Sequence, residues 1–79
     1  MDYLLKAKQI LADVLSVSID DIADDAQIEQ LKAAIDSVNF AAIVMEVERF
    51  LHKEVPINEW LEIGSVKELA ALLERNHQA

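Results

Sequence analysis

One glycine, Gly64, and one proline, Pro56, punctuate the whole 79-residue chain. Tight β-turns draw on both residue types. So sparse a supply disfavours a sheet of many short strands and points to helices as the means of burying the 53% of residues that are hydrophobic. The expected fold class is all-α: a small bundle of three main helices plus one short helix, with a long loop between the first and second helices. A chain of this length forms one domain, residues 1–79, with a single core and little room for a deep substrate pocket as well.

Periodicity places the elements. Leu4, Ala7, Leu11 and Val14 recur at helical spacing, widened by Ile10 and Leu15, and predict a first helix over residues 2–15. Ser16-Val17-Ser18 breaks it. The Asp-rich, β-branched stretch that follows suits a long ordered loop, pinned to the core by Ile19, Ile22 and Ile28. Residues 28–34 have the composition for a helical turn or two. A second main helix is expected from Asp36-Ser37, whose side chains suit a cap, to about Leu51. Pro56 opens a short irregular helix over 57–63 carrying Trp60 and Leu61, and Gly64 closes it. Ser65-Val66-Lys67-Glu68 reads as a capping box ahead of a final helix that frays by Asn76.

The second helix has more apolar surface than one buried face needs. Phe40, Ile43, Val44, Val47 and Phe50 or Leu51 form one stripe, read as core. Val38, Ala41, Ala42 and Met45 form another, leading to Glu48 and Arg49. Alanine is a good helix former and scattered surface Val or Met needs no explanation, so this second stripe is either ordinary surface or a docking ridge beside Ser37.

Composition removes most other chemistry. Seven basic against fifteen acidic residues give a net charge of −8, which repels phosphate backbones and disfavours nucleic acid as a ligand. The absence of cysteine excludes disulfides, thiolate metal sites and a protein thiol nucleophile. His52 and His77 lack ligand spacing and read as solvated polar residues, while Asp20, Asp21, Asp24 and Asp25 do not follow a calcium-loop pattern. Ser16, Ser18 and Ser65 read as structural, and Trp60 as a cover for the core. With no signal-peptide layout and no apolar run near the ~20 residues of a membrane span, a monomeric cytoplasmic protein is expected.

Asp36-Ser37-Val38 near the middle of an acidic helical chain resembles the Asp-Ser-Leu signature of the acyl carrier protein family, which includes peptidyl and aminoacyl carriers. The similarity spans essentially the whole chain. It includes Ile19-Asp20-Asp21-Ile22 and Asp25-Ala26 before the signature, and Val44-Met45, Glu48, Glu54-Val55-Pro56 and Ser65-Val66-Lys67-Glu68-Leu69 after it. Ala34 stands where the family often has glycine, Val38 replaces the usual leucine, and the segment 26–36 is longer by about one residue than in common members. The resemblance implies that Ser37 carries 4′-phosphopantetheine, supported by Asp36. It also implies a noncatalytic role presenting acyl or aminoacyl thioesters in a fatty acid, polyketide or nonribosomal peptide type of pathway. Partners would be a phosphopantetheinyl transferase, an acyl- or aminoacyl-loading enzyme and a downstream synthase or transferase. Val38, Ala41, Ala42, Met45, Glu48 and Arg49 would form the docking contact. Two alternatives stand beside this. One is a helical interaction module or degenerate carrier in which Ser37 is only a cap. The other is a hydrolase using Ser37, disfavoured because no histidine is placed to activate it.

Overall fold

The computed structural model describes residues 2–28 and 37–77, with the backbone alone for residue 37. The described residues form four α-helices: α1 Tyr3–Leu15, α2 Ser37–Leu51, α3 Ile57–Trp60 and α4 Val66–His77. The segment 28–34, expected to hold a helical turn, and Asp36 lie outside the described residues, apart from Ile28.

α1 starts where the Asp2 carboxylate accepts the Leu5 N–H at 3.0 Å. It stops at Ser16, which turns into the left-handed region at φ 58°. His52 does the same after α2, at φ 59°. With its one glycine placed elsewhere, the chain ends both helices on residues that carry a Cβ, a conformation that glycine adopts at lower cost.

The core lies where α4 packs along α1 and α2 closes over both. Leu11, Leu15, Val47, Val66, Leu69, Leu72 and Leu73 are its largest fully enclosed side chains. Ala7 and Ile10 join them from α1, and Leu4 and Val14 pack at the margin. Each large aliphatic side chain enclosed in this way stabilises the fold by about 1.5–3 kcal/mol relative to exposure.

The loop after α1 contains a 3-10 turn at Ile19–Asp21, capped by Ser18 Oγ accepting the Asp20 N–H at 3.3 Å. Ile22 enters the core and Ile28 packs against it. Ile19 differs from expectation: it is half-buried and lines a groove between α1 and α2. The loop is anchored instead by Lys8, which pairs with Asp24, and by backbone bonding at its far end. There Ile28 N–H donates to Gly64 O, and Val66 N–H donates to Ala26 O, each at 2.9 Å. An isolated antiparallel bridge between Gln27 and Ser65 results.

The same place holds the start of α4. Ser65 Oγ accepts the Glu68 N–H at 3.1 Å, and Glu68 Oε1 accepts the Gly64 N–H at 3.0 Å. The reciprocal cap forms as expected, except that the carboxylate reaches one residue further back than in the standard box.

α3 is shorter than predicted, four residues with a turn behind it, so Trp60 is buried while Leu61 points to solvent. Two devices fix it. Glu48 Oε2 accepts the Val55 N–H at 2.9 Å ahead of Pro56. Glu59 Oε1 receives Arg75 Nη2 at 2.9 Å and Asn76 Nδ2 at 3.0 Å from α4. These donors hold the Glu59 carboxyl below the usual carboxylate range, the Asn76 hydrogen bond being the larger cause.

Candidate functional site

Ser37 is the first residue of α2, so the candidate site is the amino end of that helix. The leading N–H groups of a helix have no partner within it and, with the helix dipole, favour an anion there. No acidic residue stands in the first turn of α2. Nothing in that turn therefore opposes a phosphate.

Two surfaces run away from this point along α2. On the outer side Val38 is 74% exposed and Met45 62%, with Ala41 exposed and Ala42 half-buried between them. The second stripe read from helix phasing is thus an apolar strip open to solvent. Arg49 ends it, exposed and 3.4 Å from Glu46 on its own helix. Glu48 is half-buried, and its bond to Val55 makes it an anchor for the segment leading to α3. Its carboxylate is therefore less available for docking than its place in the stripe implied.

On the inner side the core stripe divides. Ile43, Val47 and Leu51 are buried, and Val44 and Phe50 pack at the margin. Phe40 is a correction: it is 42% exposed and belongs to the rim of a cleft. Its ring meets Trp60 edge to face, with centroids 5.9 Å apart and planes at 73°. Residue 40 lies one turn from the start of α2, and the aromatic contact to the last residue of the four-residue α3 leaves part of its ring uncovered.

The cleft has a volume of about 290 Å³ and is lined mainly by Ile28, Phe40, Ile43, Trp60, Ile63 and Leu69. Gln27 and Gly64 form its polar margin. A larger groove of about 600 Å³ lies between α1 and α2, with Lys6, Asp13, Glu46 and Arg49 along it. That groove uses the far half of α2, more than two turns from Ser37, and mixes charges of both signs. The smaller cleft opens one turn from the helix start, at Phe40.

Among the described residues one buried side-chain polar atom has no partner: Trp60 Nε1. Trp60 is only 4% exposed, in agreement with the sequence expectation that it covers the core. Nothing in the sequence signalled the unpaired donor, because that depends on which chain segments surround the indole.

The remaining candidates resolve into structure. Ser16, Ser18 and Ser65 all serve helix or turn ends. His52 is exposed, whereas His77 does more than meet solvent: Tyr3 Oη lies 2.8 Å from its Nδ1, and its ring stacks on Phe50 at 4.9 Å. No helix among the described residues is long and apolar enough to cross a membrane.

No curated protein matches the chain significantly. The family model described as phosphopantetheine attachment site matches residues 6–73. Members of that family attach 4′-phosphopantetheine and are in general carriers without catalysis of their own. The residues here fit such a group. A serine opens a helix whose first turn holds no carboxylate, and a largely apolar cleft begins one turn further on. With the match spanning nearly the whole chain, from the first turn of α1 to the last buried leucine of α4, this protein belongs to the phosphopantetheine attachment site family and is a phosphopantetheine carrier protein of the acyl carrier type.

Proposed function

We propose that Ser37 is the residue to which the prosthetic group is joined and that Asp36 supports it, capping α2 and orienting the modifying enzyme's metal-bound cofactor. The observation that carries this reading is the position of Ser37 at the start of α2, between an exposed apolar strip and an apolar cleft. When bound, the group supplies a thiol that holds acyl or aminoacyl groups as thioesters. The chain's own residues do the rest. The amino end of α2 favours the phosphodiester anion. Val38, Ala41, Ala42 and Met45 offer partners a contact with little desolvation cost, and Arg49 orients it. The acidic surface attracts partners with basic faces.

The protein acts as a noncatalytic, monomeric shuttle in a biosynthetic pathway of the fatty acid, polyketide or nonribosomal peptide type. Its partners are a phosphopantetheinyl transferase, a loading enzyme and a synthase or transferase that takes the cargo. The test is intact-mass measurement after incubation with coenzyme A and broad-specificity phosphopantetheinyl transferases. Wild type gains the mass of one phosphopantetheine, whereas Ser37→Ala gains none and keeps its helical circular dichroism. A wild-type protein that stays unmodified with several such enzymes would sink the assignment.

A further inference from the structure

The groove of about 600 Å³ between α1 and α2 has a composition that the carrier role does not use. Its floor is apolar, formed by Ile10, Val17, Ile19 and Phe50, and the last three are only half-buried. Its ends differ in charge. Lys6 Nζ lies 5.0 Å from the centre of the Phe50 ring, which sets the start of α1 beside the end of α2, where Arg49 stands. Seven residues along α1 from Lys6, two turns and about 10 Å away on the same face, Asp13 borders the groove. Asp13 is exposed and makes no ion pair among the described residues. The groove is therefore an apolar trough about two helical turns long, basic at one end and acidic at the other. A ligand drawn by the net charge of −8 alone would be uniformly basic. This groove matches one charge of each sign.

We propose that the α1–α2 groove is a docking site, separate from the exposed strip on α2, for an amphipathic helix of a partner protein. An acidic residue of that helix sits over Lys6 and Arg49, a basic residue seven positions away sits over Asp13, and apolar residues between them cover the floor. A helix suits the groove because its own residues at that separation share a face and repeat the spacing of Lys6 and Asp13. The site does not depend on Ser37. The part of α2 that borders it begins more than two turns beyond that residue, so the amino end of α2 stays open to a second protein.

The probes are three stapled helical peptides that share two central leucines and differ at two outer positions seven residues apart: one lysine and one glutamate, two lysines, or two glutamates. Attraction to the net charge alone ranks the two-lysine peptide first. The groove ranks the mixed peptide first, by roughly 2- to 20-fold over the others, the range for one exposed charge pair turned from attraction to repulsion. In ¹⁵N-correlated spectra of the full chain, the mixed peptide should shift the amides of Gln9, Asp13, Ile19 and Phe50 and leave Val38 and Met45 unmoved. Ser37→Ala should bind it with the same affinity. In Asp13→Lys, at an exposed site, the two-glutamate peptide should become the tightest. A wild type that binds none of the three, that prefers two lysines, or whose shifts centre on the α2 strip overturns the inference, as does a ranking that Asp13→Lys leaves unchanged. Concentration-dependent shifts of the same amides in the free protein would assign the groove to a second copy of the chain and also overturn it.

Discussion

The hydrogen bonds at the start of α4 yield a quantitative prediction, because one side chain there joins local capping to the walls of the cleft. Ser65 Oγ accepts the Glu68 N–H, and Ser65 is 9% exposed, so water has poor access to replace the bond in Ser65→Ala. Loss of an N-cap serine costs about 0.5–2 kcal/mol, and a partly buried N–H left unpaired costs about 1–3 kcal/mol. The two ranges describe the same lost bond and overlap near ~1.5 kcal/mol. For a domain of this size that lowers the melting temperature by roughly 6–12 °C. The reverse bond, Glu68 Oε1 to Gly64 N–H, adds a coupling, so Ser65→Ala and Glu68→Ala should be non-additive by about 0.5 kcal/mol or more. Urea titrations followed by Trp60 fluorescence and far-ultraviolet circular dichroism measure all three variants. Because Gly64 and Ser65 tie the α4 start to residues 26–28, which border the cleft, amide exchange at Gln27 and Ile28 should also quicken in Ser65→Ala. A Ser65→Ala cost below ~0.3 kcal/mol, with a strictly additive double variant, would refute the reasoning.

Further predictions concern the fold and the exposed strip on α2. Ser16→Gly and His52→Gly should each stabilise the protein by roughly 0.5–1 kcal/mol in denaturant titration, since both sites hold left-handed backbone after a helix. Leu11→Ala, at a fully enclosed site, should cost about 2–5 kcal/mol and leave a large unfolded fraction by calorimetry. The Glu59 carboxyl has a depressed folded-state pKa, so its stabilising contribution is complete above the ordinary carboxylate range and is lost as pH falls through the depressed value. Carbon-13 titration should show that value rising in Asn76→Ala. Met45→Glu on the exposed strip should change stability by less than ~0.5 kcal/mol while slowing modification by a phosphopantetheinyl transferase; equal rates would remove the strip from that contact.

Much of the architecture was legible in the sequence for local reasons. Three-and-four-residue spacing of aliphatic side chains predicts α1 and α4, and the Ser65 cap shows where α4 begins. The exposed strip on α2 follows from the same phasing, because a helix with two apolar sides in a small domain can bury only one. The Asp-Ser-Val triplet points to the family, and the family match spans the same chain.

Other features could not be read that way, since they depend on what stands opposite. Phe40 has the spacing of a core residue, yet α3 is four residues long and leaves it at a rim. Glu48 looks like a docking charge until the chain after α2 returns its Val55 N–H to that carboxylate. Ile19 is as apolar as Ile22, and only the path of the loop sends one to a groove and the other to the core. Trp60 was recognisable as a buried residue from its size and hydrophobicity, properties it carries itself. Its unpaired Nε1 is a property of its neighbours, and hydrogen-bond satisfaction exists only once the folded chain has chosen them. Sequence by itself therefore determined the helices, the attachment family and the strip beside Ser37. Tertiary structure alone decided that a small apolar cleft lies next to it, because a cleft is the space that packed elements fail to fill.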